Sequence, residues 1–174
     1  TNQKGFDLLI NAVSQLKEKT NPFTLLISGV GKEWKNLDRQ IKQKGLNRIV
    51  KLIGFQNNLS NILKAADFII MPSRHEGMPN VAMESMALGK PVIASNVNGV
   101  SELIHHRKTG YLLDSLNIDI ICNAIKFAVE NHGCEEIQSW GVAAREHIAR
   151  NFTLPQMLDQ LESYFYSQIN FEFR

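Results

Sequence analysis

Two cysteines, five prolines and a net charge of only +2 stand in a chain of 174 residues, and no apolar run approaches the ~18 residues of a membrane span. Each shortage excludes something. Cys122 and Cys134 fall in stretches of helical pattern and match no metal or redox spacing, which suits a reducing compartment. The first residues, "TNQKGFDLLINA", carry no charged-then-apolar leader pattern. A charge so near balance gives no reason to expect nucleic acid or an anionic surface as partner. There is no Asp-x-Asp triplet, so the metal-dependent way of holding a diphosphate has no support. There is no glycine loop ending in Gly-Lys-Ser/Thr either, which removes the walled phosphate loop.

What remains is an ordinary globular composition, 44% hydrophobic and 21% charged. Its length fits one domain with a sizeable core. Short apolar strands alternate with helical patterns. Phe6, Leu9, Ile10, Val13 and Leu16 recur at helical spacing. Strands are expected at 23–29, 48–54, 67–73, 91–95 and 109–114, the third of them fully buried. Helices are expected between them at 33–44, 59–66, 79–88 and 99–104, and then at 117–131, 135–150 and 154–169. Strands with little internal alternation, separated by helices, predict an α/β fold with a doubly wound parallel sheet and a helical C-terminal tail. Such sheets bind ligands beyond the carboxyl ends of their strands, where "ISGVGK" and "PSRHEGMP" both fall.

The first of these, "GVGKEW", has the opening of a dinucleotide fingerprint, but the third glycine position is Trp34, too bulky for close helix–strand packing. A plain glycine turn and a backbone approach to a ligand both remain open there. "SRHEGMPNVAMESMALGKPVIAS", residues 73–95, is more telling. Gly77 permits a backbone conformation that other residues avoid, and Pro79 suits a first helical turn. The amides of Asn80 and Val81 then point out of a helix N-terminus, a place for a phosphate. Glu84 lies one turn further in. "VAMESMAL" offers no clean polar face, so this carboxylate is expected to be partly withdrawn from water and to need donors. The two hydroxyls of a ribose would supply them. Glu76, just ahead of the helix, would face hydroxyls on the far side of a diphosphate. Spacing and chemistry together point to a nucleotide-sugar.

"EGMPNVAMESMALGKPVIAS", with Glu76 and Glu84 eight positions apart, resembles the donor-binding signature of glycosyltransferase family 4, the "glycosyl transferases group 1" set. The resemblance runs through "KGFDLLINA", "LLISGVGKE", "VKLIGF", "AADFIIMPSRHEG", "NGVSELI" and "TGYLL", about residues 4 to 114. It implies a retaining enzyme of the two-domain GT-B fold, of which residues 1–174 look like the C-terminal, Rossmann-like, nucleotide-sugar-binding domain, with 154–174 as its tail. It implies Lys4 as the cation at the donor diphosphate, Glu76 at the transferred sugar and Glu84 on the ribose. Gly77, Met78, Pro79, Asn80 and Val81 match the loop and helix start around sugar and phosphates. Gly31 matches the glycine turn beside the donor, and Phe55 lies near the expected base pocket. No cofactor or metal is implied. The expected partners are a UDP- or GDP-sugar and a glycan or lipid-linked acceptor, in the cytoplasm or at the inner face of a membrane.

The chain departs from that pattern. The acceptor-binding domain is absent from this sequence, as are the strand and arginine that precede "KG" in the family, a strand that would be central in the sheet. The isolated chain is therefore expected to be inactive in transfer. A sugar-nucleotide epimerase of the same fold, or a non-catalytic nucleotide-sugar-binding fragment, stand as rival readings. His105 and His106 read as a solvated basic turn or a metal pair, and His75 as a neighbour of donor or acceptor.

Overall fold

The computed structural model describes residues 2–17 and 19–172. A 3-10 turn, Asn2–Lys4, leads into α1 (Phe6–Leu16). Then follow β1 (Leu25–Ser28), α2 (Trp34–Gln43), β2 (Val50–Gly54), α3 (Leu59–Ala65), β3 (Ile69–Met71) and α4 (Asn80–Ala87). After these come β4 (Val92–Ser95), α5 (Val100–Leu103), β5 (Tyr111–Leu113), α6 (Ile118–Asn131), α7 (Glu135–Asn151) and α8 (Leu154–Glu172). Thr1, Phe173 and Arg174, which the expected domain and tail include, lie outside the described residues.

Every expected element is present, in the expected order, with shorter strands. Phe23 and Phe68, read as strand residues, pack against the core just ahead of β1 and β3 instead of pairing. Helix starts follow local chemistry. The side chains of Asn58 and Asn117 accept from the amides of Asn61 and Ile120, at 3.3 and 2.8 Å, and so begin α3 and α6. α1 starts instead at Gly5, in the left-handed region at φ 67. Cys134 is the residue ahead of α7 and not part of a helix, and both thiols are free.

β4 explains the layering. All four of its residues are buried, although their side chains alternate in direction. Ile93 joins the core formed with α1, α2 and α6, to which Leu9, Ile10, Val13, Leu37, Ile41, Ile121 and Ile125 belong. Val92 and Ala94 join the other core, with Ala82 and Met86 of α4, Val100 and Leu103 of α5 and Ala144 of α7. Helices therefore cover both faces, as a doubly wound fold requires. Each fully buried Leu, Ile or Val contributes about 1.5–3 kcal/mol to this packing.

All strand pairs are parallel, but they form two sheets: β1 with β2, and β4 between β3 and β5. Ile27 and Val50 of the first share one core with Ile93 and Leu113 of the second, so one hydrophobic layer underlies both. β1 and β3 each keep an unpaired edge among the described residues. Leu26 is 48% exposed. β3, expected to be fully buried, is only half-buried throughout, because a strand at a sheet edge lacks a neighbour on one side. α8 carries Leu154, Leu158, Leu161 and Phe165 exposed along its length.

The joint that matters for the site is Gly5. A Cβ added there would lie 1.8 Å from the Pro72 carbonyl oxygen, and its φ is positive. Gly5→Ala combines backbone strain with a clash against main chain, so we expect a loss of at least ~2 kcal/mol, read as a lower melting temperature in thermal denaturation. An unchanged melt contradicts this close crossing.

Candidate functional site

The carboxyl ends of the strands gather the candidate residues. β3 ends in the turn 72–79, which carries Glu76 and leads into α4. Lys4 closes the 3-10 turn before α1. Its ammonium lies 2.7 Å from Glu76 Oε1, across 72 positions of sequence. The Glu76 side chain is only 9% exposed, whereas that of Lys4 is 44% exposed. A carboxylate so covered needs a cation or donors, and Lys4 answers it. The loop is braced from the far side as well. At Gly99, where φ is positive, an added Cβ would fall 1.6 Å from the Gly77 carbonyl oxygen, so glycine is required for the turn after β4 to lie against this loop.

α4 begins without a side-chain cap. Pro79 is its N-cap, one position ahead of the first-turn place expected for it, and its carbonyl accepts from Ala82 and Met83 at 3.0 and 3.2 Å. The amides of Asn80 and Val81 are those an α-helix leaves unpaired. Both residues are exposed, as is Met78. A cation from a distant segment thus meets the carboxylate of the loop that leads into the α4 N-terminus.

Two expectations about this stretch are corrected. Gly77 does not adopt a positive φ, and nothing lies within 4 Å of a Cβ added to it. The space above it is open, and the glycine answers no constraint of the free chain. Glu84 is exposed, not withdrawn from water, and no side-chain partner for it occurs among the described residues. α4 buries Ala82, Ser85 and Met86, so Asn80, Val81, Glu84 and Ala87 form its outer face. An apolar neighbour in sequence was mistaken for a buried one. Exposed Val81 and Ala87 are common surface residues.

The other candidates lie at the same edge. Ser28 and Gly54 are register partners across β1 and β2, so the chain leaves the sheet at adjacent points toward Val30 and Phe55. These are 74% and 71% exposed. Gly31 is exposed in the turn before α2, and its carbonyl accepts from the Trp34 amide at 3.1 Å. "GVGKEW" is a glycine turn, and Trp34 opens the helix.

His75 is exposed, and its carbonyl accepts from the Gln3 side chain at 3.0 Å. His106 Nδ1 accepts from the Leu112 amide at 3.1 Å, and the His105 ring lies tilted against that of His147 with ring centres 4.8 Å apart. The two histidines are thus occupied by their own turn and by α7. No cluster of His, Cys, Asp and Glu suited to a metal occurs among the described residues. A shallow cavity of about 210 Å³ lies at the opposite ends of β3 and β4, lined by Asp67, Phe68, Lys90, Pro91 and His132, away from all the candidates.

Sequence reasoning passed over Asp7 and Arg74. Two Arg74 guanidinium nitrogens donate to the two Asp7 carboxylate oxygens, at 2.9 and 2.8 Å. This hydrogen-bonded pairing holds Asp7 below its ordinary 3.8, against the raising effect of its partial burial, and raises Arg74. No local signal marks the pair, since its members lie 67 positions apart.

A family model described as "Glycosyl transferases group 1" matches residues 1–147. The chain is 34% identical over 138 residues to an uncharacterized glycosyltransferase of Methanocaldococcus jannaschii, covering 78% of this chain and 35% of that protein. It is 28% identical over 124 residues to the Escherichia coli UDP-Gal:alpha-D-GlcNAc-diphosphoundecaprenol alpha-1,3-galactosyltransferase, covering 71% and 31%. A crystal structure of the Anabaena protein Alr3699/HepE in complex with UDP-glucose aligns with a TM-score of 0.84 and 26% identity, over 96% of this chain and 46% of that one. The chain spans about a third of the length of the curated relatives it matches.

Because Asp7 is depressed, its contribution to stability is fully present above its unfolded value near 3.8 and is lost as pH falls through the lower folded value. Melting curves of the parent and of Asp7→Asn should differ by a constant amount from pH 7 to about pH 5, and converge once the pH falls below the depressed folded value. A gap that survives full protonation contradicts the pairing.

Proposed function

The chain belongs to the glycosyl transferases group 1 family and folds as one Rossmann-like half of a GT-B enzyme, and from this we propose that it is the nucleotide-sugar-binding domain of a retaining glycosyltransferase. The observation that carries the reading is the Lys4–Glu76 pair beside the uncapped start of α4. A diphosphate needs positive charge, and Lys4 with the α4 amides supplies it without a metal. Glu76 accepts from hydroxyls of the transferred sugar. Glu84, exposed and unoccupied by side chains, accepts from the ribose. Gly31 gives the backbone turn beside the donor. Met78, Pro79, Asn80 and Val81 shape the sugar and phosphate end, and Phe55 offers an apolar surface to the base. The open space above Gly77 leaves room for the sugar.

Donor binding exchanges partners. Lys4 leaves Glu76 for the phosphate, and sugar hydroxyls take its place on the carboxylate. As the bond from sugar to diphosphate breaks, negative charge grows on the leaving group, and Lys4 with the helix terminus stabilises it where it develops. The sugar becomes oxocarbenium-like as it departs, and the Glu76 carboxylate favours that positive character. Transfer itself we assign to a longer protein, with an acceptor-binding domain ahead of this one. The acceptor we place among glycans and lipid-linked sugars, as in the E. coli relative, and the work at the cytoplasmic side of a membrane. No helix among the described residues is long and apolar enough to cross one.

Calorimetric titration with UDP, with and without a chelator, tests the reading: binding should persist in chelator, and its loss there would refute the metal-free diphosphate site. Glu84→Gln should weaken UDP and UDP-glucose alike, by ~1–3 kcal/mol.

The two glutamates should separate in a second comparison. Free UDP gives Glu76 no hydroxyls, so there the carboxylate only competes for Lys4. Glu76→Gln should therefore bind UDP as well as the parent or up to ~10-fold tighter, and bind UDP-glucose more weakly. Equal losses for both ligands would put Glu76 at the phosphate end and overturn this orientation of the donor.

A further inference from the structure

The bonds between residues 2–7 and 72–76 exceed what the donor reading requires. Besides the bidentate pair to Asp7, Arg74 Nη1 donates to the Asn2 carbonyl. The Arg74 amide donates to the Gln3 carbonyl at 2.7 Å, and the Gln3 side-chain amide donates to the His75 carbonyl at 3.0 Å. Asp7 lies three residues after Lys4, and Arg74 two residues before Glu76. We infer that Asp7 and Arg74 are positioning residues: they clamp the first turn of α1 to the loop after β3 and so fix the Lys4 ammonium against the Glu76 carboxylate. The inference rests on the reading of that pair as part of the donor site.

The physical case is one of direction. Both members of the clamp are partly open to solvent, at 28% and 40% exposure, and such a pair adds little stability. A guanidinium fork on a carboxylate nevertheless fixes relative orientation, because two parallel bonds share one plane. Lysine cannot do this for itself. Its ammonium rides on a flexible four-carbon stem, so where it points depends on how firmly its backbone is held. The clamp also lies on both segments that meet at the site, within one helical turn of Lys4 on one side and within the same loop as Glu76 on the other. A misplacement of about 1 Å at a reacting centre can cost as much as 100-fold in rate, so a clamp worth little to folding can be worth much to turnover.

The test uses the full-length protein, with Arg74→Lys and Asp7→Asn made alone and in a Lys4→Gln background. Release of UDP from UDP-glucose is followed well below the melting temperature of every variant, and crystal structures give the distance from residue 4 to Glu76. Each single variant should lower kcat about 10-fold with KM changed less than about 2-fold, since ground-state binding tolerates what the transition state does not. In the Lys4→Gln background the same changes should have no further effect, because the group they position is gone. The Asp7→Arg/Arg74→Asp double variant should recover part of the loss. An effect on kcat that persists undiminished without Lys4, or a 2.7 Å Lys4–Glu76 contact intact in both single variants, overturns the inference. The structures also separate it from the reading it rests on. If the pair opens in Arg74→Lys while kcat for UDP release stays at the parent's value, the clamp stands and the donor site is misassigned.

Discussion

β4 is buried on both faces, and that constraint organises the molecule. A strand of four residues with no side toward water has to be covered twice, by α1 and α6 on one side and by α4, α5 and α7 on the other. Parallel pairing with β3 and β5 then follows, since each crossover must run through a covering helix. Every strand of its sheet consequently ends at the same edge, and the connections that leave this edge are free of the packing that fixes the rest. The loop after β3 and the start of α4 owe their place to a core they do not belong to.

Within that frame the site is assembled by polar contacts, not by burial. Lys4 and Glu76 meet across the crossing that Gly5 permits beside Pro72. Asp7, Arg74 and Gln3 tie the same two segments together. The result is an ion pair of unequal members: a covered carboxylate and a lysine that is nearly half exposed. Such a pair is suited to exchange. The exposed partner has solvent to move into, while the covered one is held within its loop. Glu84 differs from both, standing on the outer face of α4 with no side-chain partner among the described residues.

The two sheets share a core but not a hydrogen-bond ladder. That division accounts for the half-buried β3 and the exposed Leu26, both of which an interior position in one sheet would cover. It also agrees with a chain that spans about a third of its curated relatives. α8 likewise leaves Leu154, Leu158, Leu161 and Phe165 exposed.

Much of this was legible before any coordinates. Apolar periodicity located all the helices and strands, because burial of one face or two is written directly into residue order. The "EGMPNVAMESMALGKPVIAS" stretch offered the candidate site, because the turn, the helix start and both carboxylates lie in one continuous segment. Burial within that segment was less legible: Glu84 was read as withdrawn because its neighbours are apolar, yet those neighbours face outward. Gly77 was read as a conformational need and proved to be open space. The Lys4–Glu76 bond was not legible at all as a contact, nor was the Asp7–Arg74 clamp, since their partners are 72 and 67 positions apart. Sequence by itself determined which elements form and which residues stand as candidates for a ligand site. Only the tertiary structure decided which of them meet, because a side chain's partner across a crossing is set by how two distant segments pack, and local order carries no record of that.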